Sequence, residues 1–162
     1  MPTFKPGDFR AACAQFATGV AIVTVRTADG TPHGLTVSSF TSVSINPPLI
    51  LVCLDYGCTI LLHFRENPHF AINILGESQQ ELSVIFSAKP EGRFEGLDWA
   101  QGKFGSPLFP GSLAHLESTR ESVVEAGDHA ILIGRVQSVH LSDTKPQGKP
   151  LLYFNRSYRS LM

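Results

Sequence analysis

Residues 20–55 read VAIVTVRTADGTPHGLTVSSFTSVSINPPLILVCLD. Two runs rich in β-branched residues flank Asp29-Gly30, whose glycine reaches positive φ freely, so they predict a hairpin. Downstream, Leu35, Val37, Val43 and Ile45 share one parity, as a strand with one buried face requires. Ser39 and Thr41 occupy that apolar parity and Phe40 the polar one. The phase therefore breaks between Ser38 and Thr41, which predicts a bulge or bend. Six hydroxyl side chains fall between Gly34 and Leu49, and they leave two readings open. One is a strand with a wet face; the other is a bend whose hydroxyls and freed N–H groups cradle a phosphate or polar ligand. After Pro47-Pro48, the short apolar run Leu49–Asp55 predicts a buried strand.

Outward from this stretch the pattern stays β-rich. Upstream, Asp8 as N-cap followed by Phe9, Ala12, Cys13 and Phe16 predicts a helix ending before Gly19. Downstream, TILLHFREN predicts a short helix, HFAINIL a strand, and ESQQELSVIFS a helix turning Leu82, Ile85 and Phe86 inward. Residues 88–112 are dense in Gly and Pro and hold the only tryptophan, Trp99; a connection this long is characteristically a lid or an interface. LAHLESTRESVVEA, DHAILIGRVQSVHL and PLLYF complete a set of about six or seven strands. Hairpin-type connections and three short helices predict a mainly β fold, a closed or half-closed antiparallel barrel with peripheral helices. The strands do not alternate with helices, and neither G-x-G-x-x-G nor G-x-x-x-x-G-K-[ST] occurs, so a doubly wound nucleotide fold is disfavoured.

Composition bounds the function. A chain of 162 residues is read as one domain, 1–162, long enough to bury about two-thirds of its unfolded surface. Hydrophobic residues at 43% and charged residues at 17% describe a folded globule. A net charge of −1 gives no footprint for nucleic acid or an anionic membrane. The stretch MPTFKPGDFRAACAQFATG shows no basic-then-apolar signal pattern, and no apolar run reaches membrane-spanning length, so neither a leader nor a span is expected. Cys13, Cys53 and Cys58 form an odd set without metal spacing and read as reduced thiols in a cytoplasmic protein.

Few residues advertise chemistry. No histidine pair shows zinc spacing with a nearby Cys or carboxylate, so no metal is expected. No G-x-S-x-G elbow is present, and of the cysteines only Cys58, at a helix start, sits where a thiol could be activated. His129 follows EAGD and opens the apolar run AILIG, which puts a titratable ring at the mouth of a strand. It is either a strand-end histidine bonded to Asp128 or backbone, or a functional one.

FATGVAIVT, GLTVSSFTSVSINPPLI, FAINILGESQQELSVIFS, EAGDHAILIGRV and PLLYFNRSY occur in this order. Together they resemble the short-chain NAD(P)H:flavin oxidoreductases, the reductase components of two-component flavin-dependent monooxygenases, built on the FMN-binding split barrel. The resemblance runs from Phe9 to the C-terminus. It implies an antiparallel split barrel forming a homodimer, with FMN or FAD reduced by NADH or NADPH and the reduced flavin passed to a partner monooxygenase. It also implies roles. The T-x-S-S segment (Thr36, Val37, Ser38, Ser39) would line the flavin, and Cys58 and Thr59 fall where the family contacts the phosphate. Asn73 would line the isoalloxazine, while Arg93 and Phe94 would meet the phosphate and adenine side. His129 of the G-D-H motif is implied as the catalytic residue beside nicotinamide and flavin, with Tyr153 flanking the nicotinamide or adenine. Cys58 departs from the family's usual serine, and a thiol donates hydrogen bonds poorly. Two rivals remain: a flavin-binding electron carrier or storage protein without nicotinamide turnover, and an oxidase of the pyridoxamine-phosphate type, which the sparse basic residues disfavour.

Overall fold

The structure is a computed structural model that describes residues 3–88, 91–143 and 148–161. Its frame is a seven-stranded antiparallel sheet. In chain order the strands are β1 (Thr18–Gly19), β2 (Ala21–Arg26), β3 (Pro32–Val37), β4 (Thr41–Ile45), β5 (Pro48–Asp55), β6 (His69–Ile74), β7 (Ala100–Gln101), β8 (Pro107–Leu108), β9 (Ala114–Ala126), β10 (His129–Leu141), β11 (Leu152–Phe154) and β12 (Ser157–Arg159). The main sheet runs β3-β2-β6-β9-β10-β5-β4, and small ladders join β1-β11-β12 and β7-β8.

Asp29-Gly30 closes the β2–β3 hairpin as expected. Gly30 sits at φ 89°, and the Asp29 carboxylate accepts from Thr27 Oγ1 at 2.6 Å and from the Thr31 N–H at 3.0 Å. Those bonds pull the Asp29 pKa down to about 2. The phase break is also where it was read, because β3 ends at Val37 and β4 starts at Thr41.

This break shapes the sheet. β3 and β4 are its two edges, and in a flat sheet six interstrand gaps would hold them about 29 Å apart. Residues 38–40 can span at most about 14 Å between Val37 and Thr41. The sheet must therefore coil to bring its edges together at this end. No ladder joins β3 to β4 among the described residues, so the sheet remains open there.

Each face of the sheet has its own core. Val23, Val25, Val52, Leu54, Ile72 and Leu132 pack on one face with Leu61 and Phe64 of α2 (Leu61–Glu66). On the other face Val20, Ile22, Leu75, Phe86, Phe109 and Leu151 pack beneath α3 (Gln80–Ser87). β2 contributes to both cores, which is why it is continuously buried from Ala21 to Val25. β5 differs from expectation: only Ile50, Val52 and Leu54 are buried, and the alternate residues are half-exposed or exposed. One of its faces meets the core and the other does not.

Two helix expectations also need correction. α1 (Pro6–Cys13) is capped at Lys5, and Asp8 lies inside its first turn, accepting from the Lys5 N–H at 3.1 Å. It buries no residue, and Phe9 and Phe16 are exposed. In α3, Ser83 and Phe86 face inward while Ile85 faces out, because a one-residue offset rotates the apolar stripe by about 100°. Among the described residues no helix is long and apolar enough to cross a membrane.

A stacked histidine pair joins α2 to the β2–β3 hairpin. The His33 and His63 rings lie 3.8 Å apart with 22° between their planes, and His63 Nδ1 is buried without a hydrogen-bond partner. Burial first, and then the neighbouring His63, hold His33 below its ordinary 6.5, with Asp29 opposing. Burial likewise lowers His115. Both groups take a proton more readily in the unfolded chain, so this contribution to stability is present above about pH 6.5 and is lost as pH falls below it. The melting temperature should drop between pH 7 and 5, and less steeply in His33→Phe, which keeps a stacked ring that cannot titrate. Identical slopes in both proteins would count against the account.

Candidate functional site

Three clefts meet at the end of β3. The first, about 490 Å³, is lined by Thr36, Asp55, Cys58, Thr59, Ser87 and Arg93, among others. The second, about 350 Å³, shares Thr36 and Ser87 with the first and adds Ser38, Tyr153, Arg156 and Tyr158. The third, about 610 Å³, shares Ser38 with the second and runs past Phe16, Ser39 and Phe40. Thr36 and Ser38 are thus the hinge points of one continuous groove. The edge-to-edge link of the sheet builds it, since the segment that leaves β3 for β4 cannot pair with either strand.

Local bonding decides which groups are available. Thr36 Oγ1 donates to the Ser83 carbonyl at 2.7 Å, tying β3 to α3. Ser39 is fully engaged with the sheet: its hydroxyl accepts from the Cys53 N–H at 2.9 Å and donates to the Cys53 carbonyl at 3.1 Å. It anchors the bend to β5. Ser38 is exposed on the groove, whereas the Val37 side chain is turned into the sheet core. The hydroxyl-rich stretch therefore serves both ends: Ser39 stitches the bend to β5, and Thr36 and Ser38 face the groove.

At the far end of the first cleft, Cys58 and Thr59 precede α2. The Cys58 N–H donates to the Asp55 carbonyl at 3.0 Å. Across from them the Arg93 guanidinium donates to the carbonyls of Gly34 and Ala88, which holds Arg93 against β3. Burial lowers the Arg93 pKa, opposed by the adjacent Cys58, and an arginine remains a cation throughout. A fixed cation, a hydroxyl and a thiol at one end of a hydroxyl-edged groove suit a phosphate-bearing ligand of extended shape.

Other expected site residues lie elsewhere. Asn73 is fully buried and belongs to the fold. Its Nδ2 donates to the carbonyls of Ile22 at 3.2 Å and Pro107 at 3.3 Å, and its Oδ1 accepts the Phe109 N–H at 2.8 Å. It lines none of the three clefts, because residues 107–109 lie over it and take its hydrogen bonds. Phe94 packs edge-on to Phe86 at 4.9 Å and near Trp99 at 6.0 Å, so its ring extends the second core. His129 is half-exposed outside the groove with Nδ1 2.7 Å from Asp128 Oδ1, and it pairs across the sheet with Asp55 of the first cleft. Tyr153 lines the second cleft, its ring 5.3 Å from Tyr158. Among the described residues no cluster of three or more His, Cys, Asp or Glu could hold a metal ion.

Sequence reasoning missed Ser83, Ser87, Arg156 and Tyr158. The last two come from a hairpin, β11–β12, of which only the first strand was expected. The two residues joining PLLYF to SYR were the available signal, since Asn155 opens a tight two-residue turn.

A coiled antiparallel sheet with a groove edged by hydroxyls and ended by an arginine has the shape and polarity that a nucleotide-like ligand requires. The chain belongs to the flavin reductase like domain family, which it matches over residues 13–162. It is 44% identical over 134 residues to the reductase component of a flavin-dependent trigonelline monooxygenase from Acinetobacter baylyi, covering 83% of this chain and 43% of that protein. It is 36% identical over 156 residues to the reductase subunit HsaB of a flavin-dependent monooxygenase from Rhodococcus jostii, covering 96% of this chain and 78% of that protein. The chain thus spans less than half the length of the first relative and most of the second. Its fold superposes with a TM-score of 0.90, at 31% identity, on the NADH:FAD oxidoreductase SgcE6 of Streptomyces globisporus C-1027 in complex with NAD and FAD fragments; the match covers 100% of this chain and 98% of that one.

Proposed function

We propose that this protein is an NAD(P)H-dependent flavin reductase that supplies reduced FMN or FAD to a partner flavin-dependent monooxygenase. The observation that carries the reading is the single groove in which Thr36 and Ser38 connect the Cys58–Thr59–Arg93 end to the Tyr153 end. When both are bound, nicotinamide and flavin supply the hydride chemistry themselves, from nicotinamide C4 to flavin N5. The chain's residues bind and orient. Arg93 and Thr59 would hold the flavin phosphate, Ser38 would present its hydroxyl and Thr36 its free lone pair along the groove, and Tyr153 would offer an aromatic face to the nicotinamide or the adenine. His129, bonded to Asp128 and paired across the sheet with Asp55 of the first cleft, would act on the reacting rings from the rim of the groove.

The coiled sheet, open between β3 and β4, supports the split-barrel architecture, with the chain acting as one domain. Exposed apolar side chains, Phe16, Val43, Ile45, Val139 and Leu141, support a homodimer, which sedimentation would test. The three free cysteines support a reducing compartment, the cytoplasm.

Steady-state kinetics test the function directly. Purified protein should oxidise NADH or NADPH in proportion to added FMN or FAD. A yellow protein that consumes no reduced nicotinamide would instead be the electron carrier. His129→Ala should keep the melting temperature and flavin affinity while lowering flavin reduction at saturating NADH about 10-fold, or about 1.4 kcal/mol of barrier. A destabilised variant that reduces flavin at the wild-type rate would remove His129 from the mechanism.

Cys58 gives a second check. Cys58→Ser should tighten FMN binding about 3–10-fold, since a hydroxyl donates better than a thiol, and should leave riboflavin unaffected. Equal changes for both flavins would show that the residue only packs.

A further inference from the structure

β11 and β12 are joined by Asn155 and Arg156 alone, at φ 48° and 62°. Both central residues are left-handed, as a type I′ turn requires. Asparagine tolerates that region; at the second position glycine is the relaxed choice, and a long branched-charge side chain there stores strain of about 1 kcal/mol. The hairpin cannot relieve it by moving. Tyr158 shares a 2.8 Å hydroxyl bond with Ser83 of α3, the Asn155 N–H donates to the Ala14 carbonyl at 2.8 Å, and buried Leu151 ties the hairpin's base to Leu75.

The strained turn delivers its side chain to the second cleft. Arg156 is the sole charged residue lining that cleft, beside Tyr153, Tyr158, Thr36, Ser38 and Ser87. Among the described residues no hydrogen bond or ion pair engages its guanidinium. A guanidinium without a counter-ion, presented on a rigid turn beside an aromatic ring, matches a diphosphate joined to a flat base. It offers forked N–H donors to the phosphates while the ring meets the base. Arg93 already serves the opposite end of the groove.

We propose that Arg156 is a specificity-determining residue that anchors the diphosphate of an adenosine diphosphate moiety, with the adenine against Tyr153. This rests on the reductase reading for its context, and the moiety can come from NAD(P)H or from FAD.

The test uses Arg156→Gly and Arg156→Lys in the full chain. Equilibrium titration with ADP-ribose needs no turnover, so it separates this inference from the catalytic one. Wild type should bind ADP-ribose, Arg156→Gly should bind it about 10-fold more weakly or worse, and Arg156→Lys should recover part of the loss. Arg156→Gly should at the same time melt higher, because glycine relaxes the turn. Kinetics then assign the source. A raised KM for NADH at unchanged kcat, with FMN as acceptor and with no change for reduced nicotinamide mononucleotide, identifies the hydride donor. A raised KM for FAD but not FMN identifies the flavin. Failure of wild type to bind ADP-ribose, equal affinity in wild type and Arg156→Gly, or an equal loss for FMN would overturn the proposal. ADP-ribose binding that depends on Arg156 in a protein that oxidises no NADH would keep this inference and discard the reductase.

Discussion

Phe86→Ala is expected to destabilise the protein by about 3–5 kcal/mol, as for other fully enclosed phenylalanines. The ring has no exposed surface and is the hub of the aromatic cluster, edge-on to Phe94 at 4.9 Å and to Phe109 at 5.1 Å. It also fills the space left by Gly34, where a Cβ would lie 3.0 Å from the Phe86 ring. Phe86 forms part of the wall of the first cleft, so its loss should weaken FMN binding as well. Urea unfolding and flavin titration of the same preparation measure both. A loss below about 1 kcal/mol would mean that Phe94 and Phe109 collapse onto the vacated space, which close packing at this density does not permit.

Asn73→Ala should cost about 2–4 kcal/mol while leaving the FMN affinity of the folded fraction unchanged. The carboxamide sits at 0% exposure and ties β2, β6 and the 107–109 segment together. Truncation leaves the buried Phe109 N–H without its 2.8 Å acceptor and vacates its volume, and an orphaned buried donor alone costs about 1–3 kcal/mol. Stability near wild type together with weakened flavin binding would instead restore Asn73 to the cofactor site. The contrast matters because Asn73 stands in the strand that family resemblance assigns to the isoalloxazine.

The residues that could be read correctly in advance are those whose signals are local. Asp29-Gly30 closes a hairpin because a glycine at φ 89° and a carboxylate bonded to its own turn need nothing from the rest of the chain. The break at Ser38–Thr41 was visible because period-two alternation fails within four residues. HFAINIL and DHAILIGRV carry enough branched apolar residues to specify β6 and β10 by themselves.

The roles of single side chains were not local. Ser38 and Ser39 are adjacent and chemically identical, yet one faces the groove and the other bonds Cys53 fourteen residues away. Nothing within T-V-S-S distinguishes them. Phe94 and Asn73 are ligand contacts by resemblance, and both also meet Phe109, a residue far along the chain from either. Arg156 went unnoticed because its meaning depends on Ser83 and Tyr158 fixing the hairpin against α3. The β-rich character, the Asp29-Gly30 hairpin and the position of the bend follow from the amino-acid order alone, since backbone propensity and hydrophobic period act over a few residues. Strand order, the coil that brings β3 and β4 together, and the choice of hydroxyls and cations that line the groove come from long-range packing. Those depend on which face another segment covers, and burial is a property of the whole folded chain.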